Sequence, residues 1–477
     1  MSLAKKFAYN SFIQIAGKAL SVFLGLLGVA LITRYLGVTG FGRYTALNNF
    51  LGIFAVLADL GLTMVTAQMI NEKFNERSKI LNNLLGFRLF SAGAIIGLGL
   101  LVALLLPYYR SLWLILAILG GSYFLIALIQ ILTGLLQSEL RSDYLMIAEV
   151  TGRFVWLIGL WFTRAYGWGL LGVAIATIVS SLLHFLIAWR LSDRQVKIRP
   201  TYDKTLWREI AVRSWPLAVT IALNLLYLRT DILFLTWFQG ERVVGLYGAA
   251  YKVIDVLTSL PFLIVGLLLP LLTRAWSSGE KKRFAFLTNT ALSVLLMIII
   301  PLIIGGQLLS GPIINLIAGS DFAQAGPILA LLLLAIAGIF ASCLFNHILI
   351  AVNQQKVMVA PYAFVALTAL PAYYFLVKIW SYWGAAGVTV YSEVLIAIMT
   401  AYYAKKKAGW NWPWLTMLKA IVASIIMVVL VWPCLNFANQ GGFQLMLVVF
   451  WSIIVYGLGL WLLGGFKIKY YEAAHSS

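Results

Sequence analysis

The chain has 477 residues, 62% of them hydrophobic and only 11% charged. A soluble domain is nearer half apolar and a quarter charged, so this composition sets aside soluble-domain organisation and reads as a polytopic membrane protein. The formal net charge of +19 invites a nucleic-acid partner, but its distribution along the chain must be read first.

In chain order, apolar runs of helix-spanning length predict an all-α protein of about fourteen transmembrane helices. They lie near residues 11–33, 44–69, 83–106, 112–136, 145–163, 168–189, 211–238, 246–272, 286–308, 325–350, 357–379, 383–404, 415–433 and 444–463. The first run is too long for the core of a cleavable signal peptide and is read as a retained span. The alternating pattern of a barrel is absent. Twenty-two Lys and Arg residues fall in one set of connecting loops and six in the alternate set. That asymmetry predicts cytoplasmic termini and accounts for most of the positive charge without nucleic acid.

Several chemistries are missing. The only cysteines, Cys343 and Cys434, lie in apolar runs, so neither a disulfide framework nor a zinc spacing is available. Gly17-Lys18 lacks the upstream glycine and the following Ser or Thr of a phosphate-binding loop. The expectation is a protein that is not an enzyme and carries no cofactor or metal. Energy would come from an ion gradient, the membrane potential or the substrate gradient.

The chain also repeats itself. GVTGFGRYTALNN at 37–49 aligns with GERVVGLYGAAYK at 240–252, matching Gly37, Gly42 and Tyr44 with Gly240, Gly245 and Tyr247. WGLLGVAIAT at 168–177 aligns with WGAAGVTVYS at 383–392, and at that offset Arg141 falls on Lys356. Both matches agree with the span count. The predicted organisation is an N-terminal lobe at 1–195 (spans 1–6), a basic cytoplasmic linker at 196–210, a C-terminal lobe at 211–406 (spans 7–12), and two extra spans with a tail at 407–477. Parallel repeats of this kind mark transporters with a substrate site between the halves. Shared Gly-rich packing at helix starts is the competing explanation.

Charges inside spans are costly, roughly 2.5–3.5 kcal/mol each at a helix centre on insertion scales, and mark wet or partnered faces. Gln14, Lys18, Ser21, Gly25 and Gly28 share one side of span 1. Asn48, Gly52, Ala55, Asp59, Thr63 and Thr66 do so in span 2, and Arg213, Thr220, Asn224, Tyr227 and Asp231 in span 7. Tyr251, Lys252, Asp255, Thr258 and Ser259 cluster in span 8. A polar groove between the halves is the economical reading.

Alternatives stand beside each residue. Lys18 has no local acid and is a functional candidate. Asp59 is isolated in span 2 and suits a proton or cation site. Lys252 and Asp255, three apart, either pair with each other or contact a ligand. Glu149 and Arg153, four apart, read as a structural pair. Arg88, Arg213 and Lys419 read as snorkelling toward the cytoplasmic surface. His184 and His347 read as packed or interfacial. Arg229 and Asp231 read as a structural or gating pair, with substrate contact second.

Several stretches carry a family resemblance. NSFIQIAGKALSVFLGLLGVALITRYLGVTGFGRYTAL, LRTDILFLTWFQGERVVGLYGAAYKVID and IINLIAGSDFAQAGPILALLLLA resemble the polysaccharide flippases of the Wzx type. These belong to the polysaccharide transporter branch of the multidrug/oligosaccharidyl-lipid/polysaccharide exporter superfamily. The resemblance implies two six-helix lobes in a V and ion-coupled alternating access through a cationic central cavity. Its implied substrate is a polyprenyl-diphosphate-linked oligosaccharide, moved to the outer leaflet for O-antigen, capsule or exopolysaccharide synthesis. It further implies the bacterial inner membrane, contact with membrane lipids, and a glycan polymerase and chain-length proteins as partners. Lys18, Arg153, Arg229 and Lys252 are the candidate substrate-binding positions. Asp59, Asp231, Asp255 and Glu393 are the candidates for coupling a proton or sodium ion, or for gating. The alternatives are a multidrug/cation antiporter and a non-transport component of a glycan assembly complex.

Overall fold

The computed structural model describes residues 3–59, 61, 62, 69, 76–139 and 141–465. Thr63, Thr66, Lys73, Lys467 and Lys469, and the side chains of Lys5, Lys6, Arg77 and Thr220, lie outside the described residues and side chains. Among the described residues every regular element is a helix.

The long helices are α1 (Leu3–Asp59), α2 (Arg77–Leu105), α3 (Trp113–Ser138), α4 (Ser142–Tyr166), α5 (Gly169–Asp193), α6 (Lys204–Leu228) and α7 (Thr230–Phe238). They continue as α8 (Glu241–Ser277), α9 (Lys281–Ile317), α10 (Ala325–Ala351), α11 (Val359–Ala408), α12 (Trp414–Val431) and α13 (Gly442–Leu462). Twelve segments among the described residues are long and apolar enough to cross a membrane, one of them running across the α6–α7 junction. Two are double: α1 breaks at Gly37 and α11 at Ser381, where the backbone leaves the helical region. Divided at those breaks, the segments give the fourteen predicted spans. The protein is therefore an all-α, multi-pass membrane protein. Exposed Leu105, Leu367 and Phe443 on helix exteriors fit a lipid-facing surface.

The aligned glycines share one conformation. Gly37 adopts φ 65°, ψ −176° and Gly240 adopts φ 80°, ψ 175°. That region is essentially reserved for glycine, so the two copies of the motif make the same turn for the same steric reason. The break in α11 is different, because Ser381 holds φ 53°, ψ −134° with a Cβ.

The chain forms two compact units, Met1–Arg229 and Thr230–Ser477. In the first, Leu81, Leu84, Leu85, Leu128, Leu132, Val196, Ile198 and Ile210 share one core. The basic linker thus contributes apolar anchors and is also hydrogen-bonded in place. Arg199 N donates to Asn82 Oδ1 at 2.9 Å, Thr201 N to Asn82 O at 3.1 Å, and Asp203 N to Asn83 Oδ1 at 2.7 Å. Asp203 then caps α6, accepting from Thr205 N and Leu206 N.

In the second unit, α10 is the most enclosed span, with Leu329, Leu332, Leu333, Ile336 and Phe340 buried. Helices α12 and α13 pack on α9 through Leu309, Met427, Val431, Leu445, Val448 and Val455.

Candidate functional site

In the first unit, polar side chains of α1 and α4 meet. Glu149, Arg153 and Trp156 recur at helical spacing on one side of α4. Lys18 Nζ lies 3.1 Å from Glu149 Oε1, and Ser21 Oγ donates to the same oxygen at 2.6 Å. Lys18 therefore has an acid, supplied by another helix, and Glu149 pairs with Lys18 rather than with Arg153 one turn away. The Lys18 side chain is 43% exposed and that of Glu149 16%.

The Arg153 guanidinium lies 5.7 Å from the Trp156 ring centre and has no hydrogen bond or ion pair among the described residues. Gly28 leaves the room that the Trp156 ring fills, since a Cβ there would overlap it. His184 of α5 packs against Gly152, and its Nε2 is buried without a hydrogen-bond partner among the described residues.

Asp59 and Arg88 form a second group. Arg88 Nη2 sits 2.9 Å from Asp59 Oδ1 and also donates to Gln130 Oε1. Its Nη1 donates to Ala58 O at 2.8 Å and its Nε to Ala127 O at 3.0 Å. Two readings are corrected here. Asp59 is not isolated, and Arg88 does not snorkel, because its side chain is 0% exposed. The fork geometry of guanidinium matches several fixed acceptors at once, which lets the charge stay buried.

The second unit holds a buried network around Asp231. The helix pattern that placed Arg213 through Asp231 on one stripe breaks at Arg229, where α6 ends and α7 begins. Asp231 is 0% exposed, so it does not line a wet face. Its Oδ1 accepts from Ile232 N at 2.7 Å and its Oδ2 from Tyr247 Oη at 2.7 Å. Thr389 Oγ1 lies 3.3 Å from Tyr247 Oη and 3.1 Å from Tyr373 Oη, and itself donates to Ala385 O. Helices α7, α8 and α11 are thereby joined through hydroxyls.

The remaining candidates separate. Lys252 Nζ pairs with Asp255 Oδ2 at 3.2 Å on α8, the simpler of the two alternatives. Arg213 pairs with Glu209 at 2.8 Å. Arg229 C=O accepts from Asn49 Nδ2 at 2.8 Å, tying the end of α6 to α1. Glu393 is 3% exposed, and its Oε1 is buried without a hydrogen-bond partner among the described residues. Nearby Tyr362 is within electrostatic reach of Glu393 and accepts from Asn346 Nδ2 at 2.6 Å. Asn346 Oδ1 is likewise buried without a donor among the described residues. Acceptor oxygens lacking donors suit a proton or a small cation better than an anion.

Arg88, Tyr247, Tyr373, Thr389 and Asn346 were not singled out as site residues from sequence. Tyr247 had a signal, as the tyrosine of the repeated glycine motif. Thr389 sits inside the second repeated stretch, but nothing in its spacing announces a hub.

The fold is that of the transporter class containing lipid and drug exporters. The lipid II flippase MurJ in an inward closed conformation superposes with a TM-score of 0.79 at 17% identity, covering 96% of this chain and 100% of that one. An inward-facing multidrug resistance MATE family transporter of the MOP superfamily superposes with a TM-score of 0.67 at 15% identity, covering 83% of this chain and 98% of that one. The chain belongs to the family described as Polysaccharide biosynthesis protein, whose profile matches residues 7–276. It is also 21% identical over 451 residues to a Haloferax volcanii protein named Probable low-salt glycan biosynthesis flippase, with 91% of each chain covered. It is accordingly a flippase-like, multi-pass membrane transporter rather than an enzyme.

Proposed function

We propose that the chain translocates a polyprenyl-diphosphate-linked oligosaccharide from the cytoplasmic to the outer leaflet, for synthesis of O-antigen, capsule or exopolysaccharide. Its membrane is the bacterial inner membrane, with both termini cytoplasmic. The lobes at 1–195 and 211–406 work by ion-coupled alternating access, and the glycan passes on to a polymerase and chain-length proteins.

The observation that carries this reading is Arg153. A guanidinium with no carboxylate partner among the described residues sits inside a span, close to the Lys18–Glu149 pair. Burying such a group costs roughly 2.5–3.5 kcal/mol, which favours a role that uses the charge. A diphosphate supplies oxygens matched to guanidinium and ammonium donors. Lys18 and Arg153 are the first substrate-binding candidates, and Arg229 and Lys252 follow. Glu393 and Asp231 are the first candidates for coupling to a proton or sodium ion. Asp59 and Asp255 act through their ion pairs as gating elements.

The test is the sidedness of lipid-linked glycans in cells with and without the gene, scored by an outer-leaflet lectin and a periplasmic glycosidase. Loss of the gene is expected to trap glycan on the cytoplasmic side, and Arg153→Ala to do so in part. Unchanged glycan topology with raised drug sensitivity would overturn the proposal in favour of a drug antiporter.

A further inference from the structure

One polar cavity in the second unit has no part in the function proposed above. It lies where the start of α9 meets the start of α12 and the end of α13, and its volume is about 930 Å³. Lys282, Asn289, Asn411, Thr416 and Lys419 line it, and among the described residues no Asp or Glu does.

These groups retain donors. Lys419 Nζ spends one hydrogen bond on Gly464 O at 3.0 Å, leaving two N–H groups. Asn289 Oδ1 accepts from Asn411 N at 3.2 Å, and its amide NH2 makes no hydrogen bond among the described residues. Lys282 has no carboxylate partner among the described residues.

The edge of the cavity is apolar. Leu415 and Leu462 line it and are 66% and 76% exposed. Beside it, Trp410, Trp412 and Trp414 form a ring series with centroids 5.7 and 5.6 Å apart. Tryptophans of this kind mark the headgroup level of a membrane. Lys405, Lys406 and Lys407 precede them. Cation and amide donors inside, apolar surface at the rim, and headgroup depth together describe a ligand with an anionic head and acyl chains.

We infer that this cavity binds the phosphodiester headgroup of an anionic phospholipid, with the acyl chains lying along α12 and α13. Basic pockets between transmembrane helices at the positively charged side bind such headgroups. The bound lipid bridges α9, α12 and α13 and so stabilises the two C-terminal spans. The inference does not depend on the transported substrate.

The test uses the full chain purified in detergent. Native mass spectrometry and thermal melting compare phosphatidylglycerol, phosphatidylcholine and inorganic phosphate as probes. Two lysines near the headgroup predict about thirtyfold tighter binding of phosphatidylglycerol than of phosphatidylcholine. Lys282→Ala and Lys419→Ala should each remove about fivefold of that preference. Lys282 is an exposed residue, so its variant folds even if removing the Lys419–Gly464 bond does not leave a stable protein. Equal binding of the two lipids, an undiminished preference in Lys282→Ala, or stabilisation reproduced in full by inorganic phosphate would each overturn the assignment.

Discussion

Tyr247 donates its phenolic hydrogen to Asp231 Oδ2 at 2.7 Å, and both side chains are wholly buried. The tyrosine of a repeated glycine motif thus satisfies an acid in the preceding helix. Tyr247→Phe removes the donor while keeping the ring. The expected cost is about 1–3 kcal/mol, since a buried charged acceptor loses a partner. Thermal melting of the purified variant checks it, and an unchanged midpoint would show that another group serves Oδ2 equally well.

Arg88 serves Asp59, Gln130 and two backbone carbonyls from a side chain with no exposure. Arg88→Met leaves those acceptors behind and is expected to destabilise by about 3–5 kcal/mol. Arg88→Lys should rescue little, because one ammonium cannot reproduce the planar fork. Yield and melting midpoint of both variants measure this. A fully stable Lys variant would reduce the site to simple charge pairing.

Lys18 and Glu149 offer a milder case. Lys18 is half-exposed, but Glu149 is largely buried and among the described residues keeps only the Ser21 hydroxyl when Lys18 is removed, so Lys18→Ala should cost about 1–3 kcal/mol of stability. If Lys18 holds substrate, Lys18→Ala will reduce outer-leaflet glycan far more than the matching loss of folded protein explains. Parallel loss of glycan and stability would instead mark the pair as structural.

Ser381 holds φ 53°, ψ −134° at the break in α11, while Gly37 and Gly240 meet similar demands without a Cβ. Ser381→Gly should therefore stabilise, by about 1 kcal/mol after the entropy cost of glycine. Gly37→Ala and Gly240→Ala should destabilise by more than about 1 kcal/mol. Denaturation midpoints decide, and a destabilising Ser381→Gly would contradict the strain at that turn.

The Asp203 carboxyl is held below its ordinary value of 3.8, chiefly by the Leu206 N–H and then by Lys79. A depressed carboxylate contributes stability above its unfolded value and loses it as pH falls through the folded one. Asp203→Asn keeps the helix cap but does not titrate. The stability difference between the parent and this variant should be constant at neutral pH and shrink as pH drops below 3.8. Melting curves across that range provide the measurement. A difference that persists unchanged in acid would mean that the charge contributes nothing.

Much of the fold was legible because membrane insertion is written in local chemistry. A bilayer demands runs of about 20 apolar residues, and such runs can be counted without knowing any contact. Gly37 and Gly240 were legible as well, because a turn that excludes Cβ leaves its residue in the sequence. The same local logic found Lys252 with Asp255 and placed Lys18, Ser21 and Gly28 on one face.

The site was only half legible. The sequence by itself determined the number of spans, the loop charge asymmetry, the repeated turn and the charges inside apolar helices. Only the tertiary structure decided what those charges meet. Lys18 finds Glu149 on another helix, Arg88 finds Asp59, and Thr389 stands between two tyrosines from different helices. It also moved Asp231 from an expected wet stripe to a buried network, through a break at Arg229 that no glycine or proline announces. Helical spacing reports which residues share a face, whereas partners across helices depend on the rotation and depth of each helix. Those are fixed by packing over the whole fold.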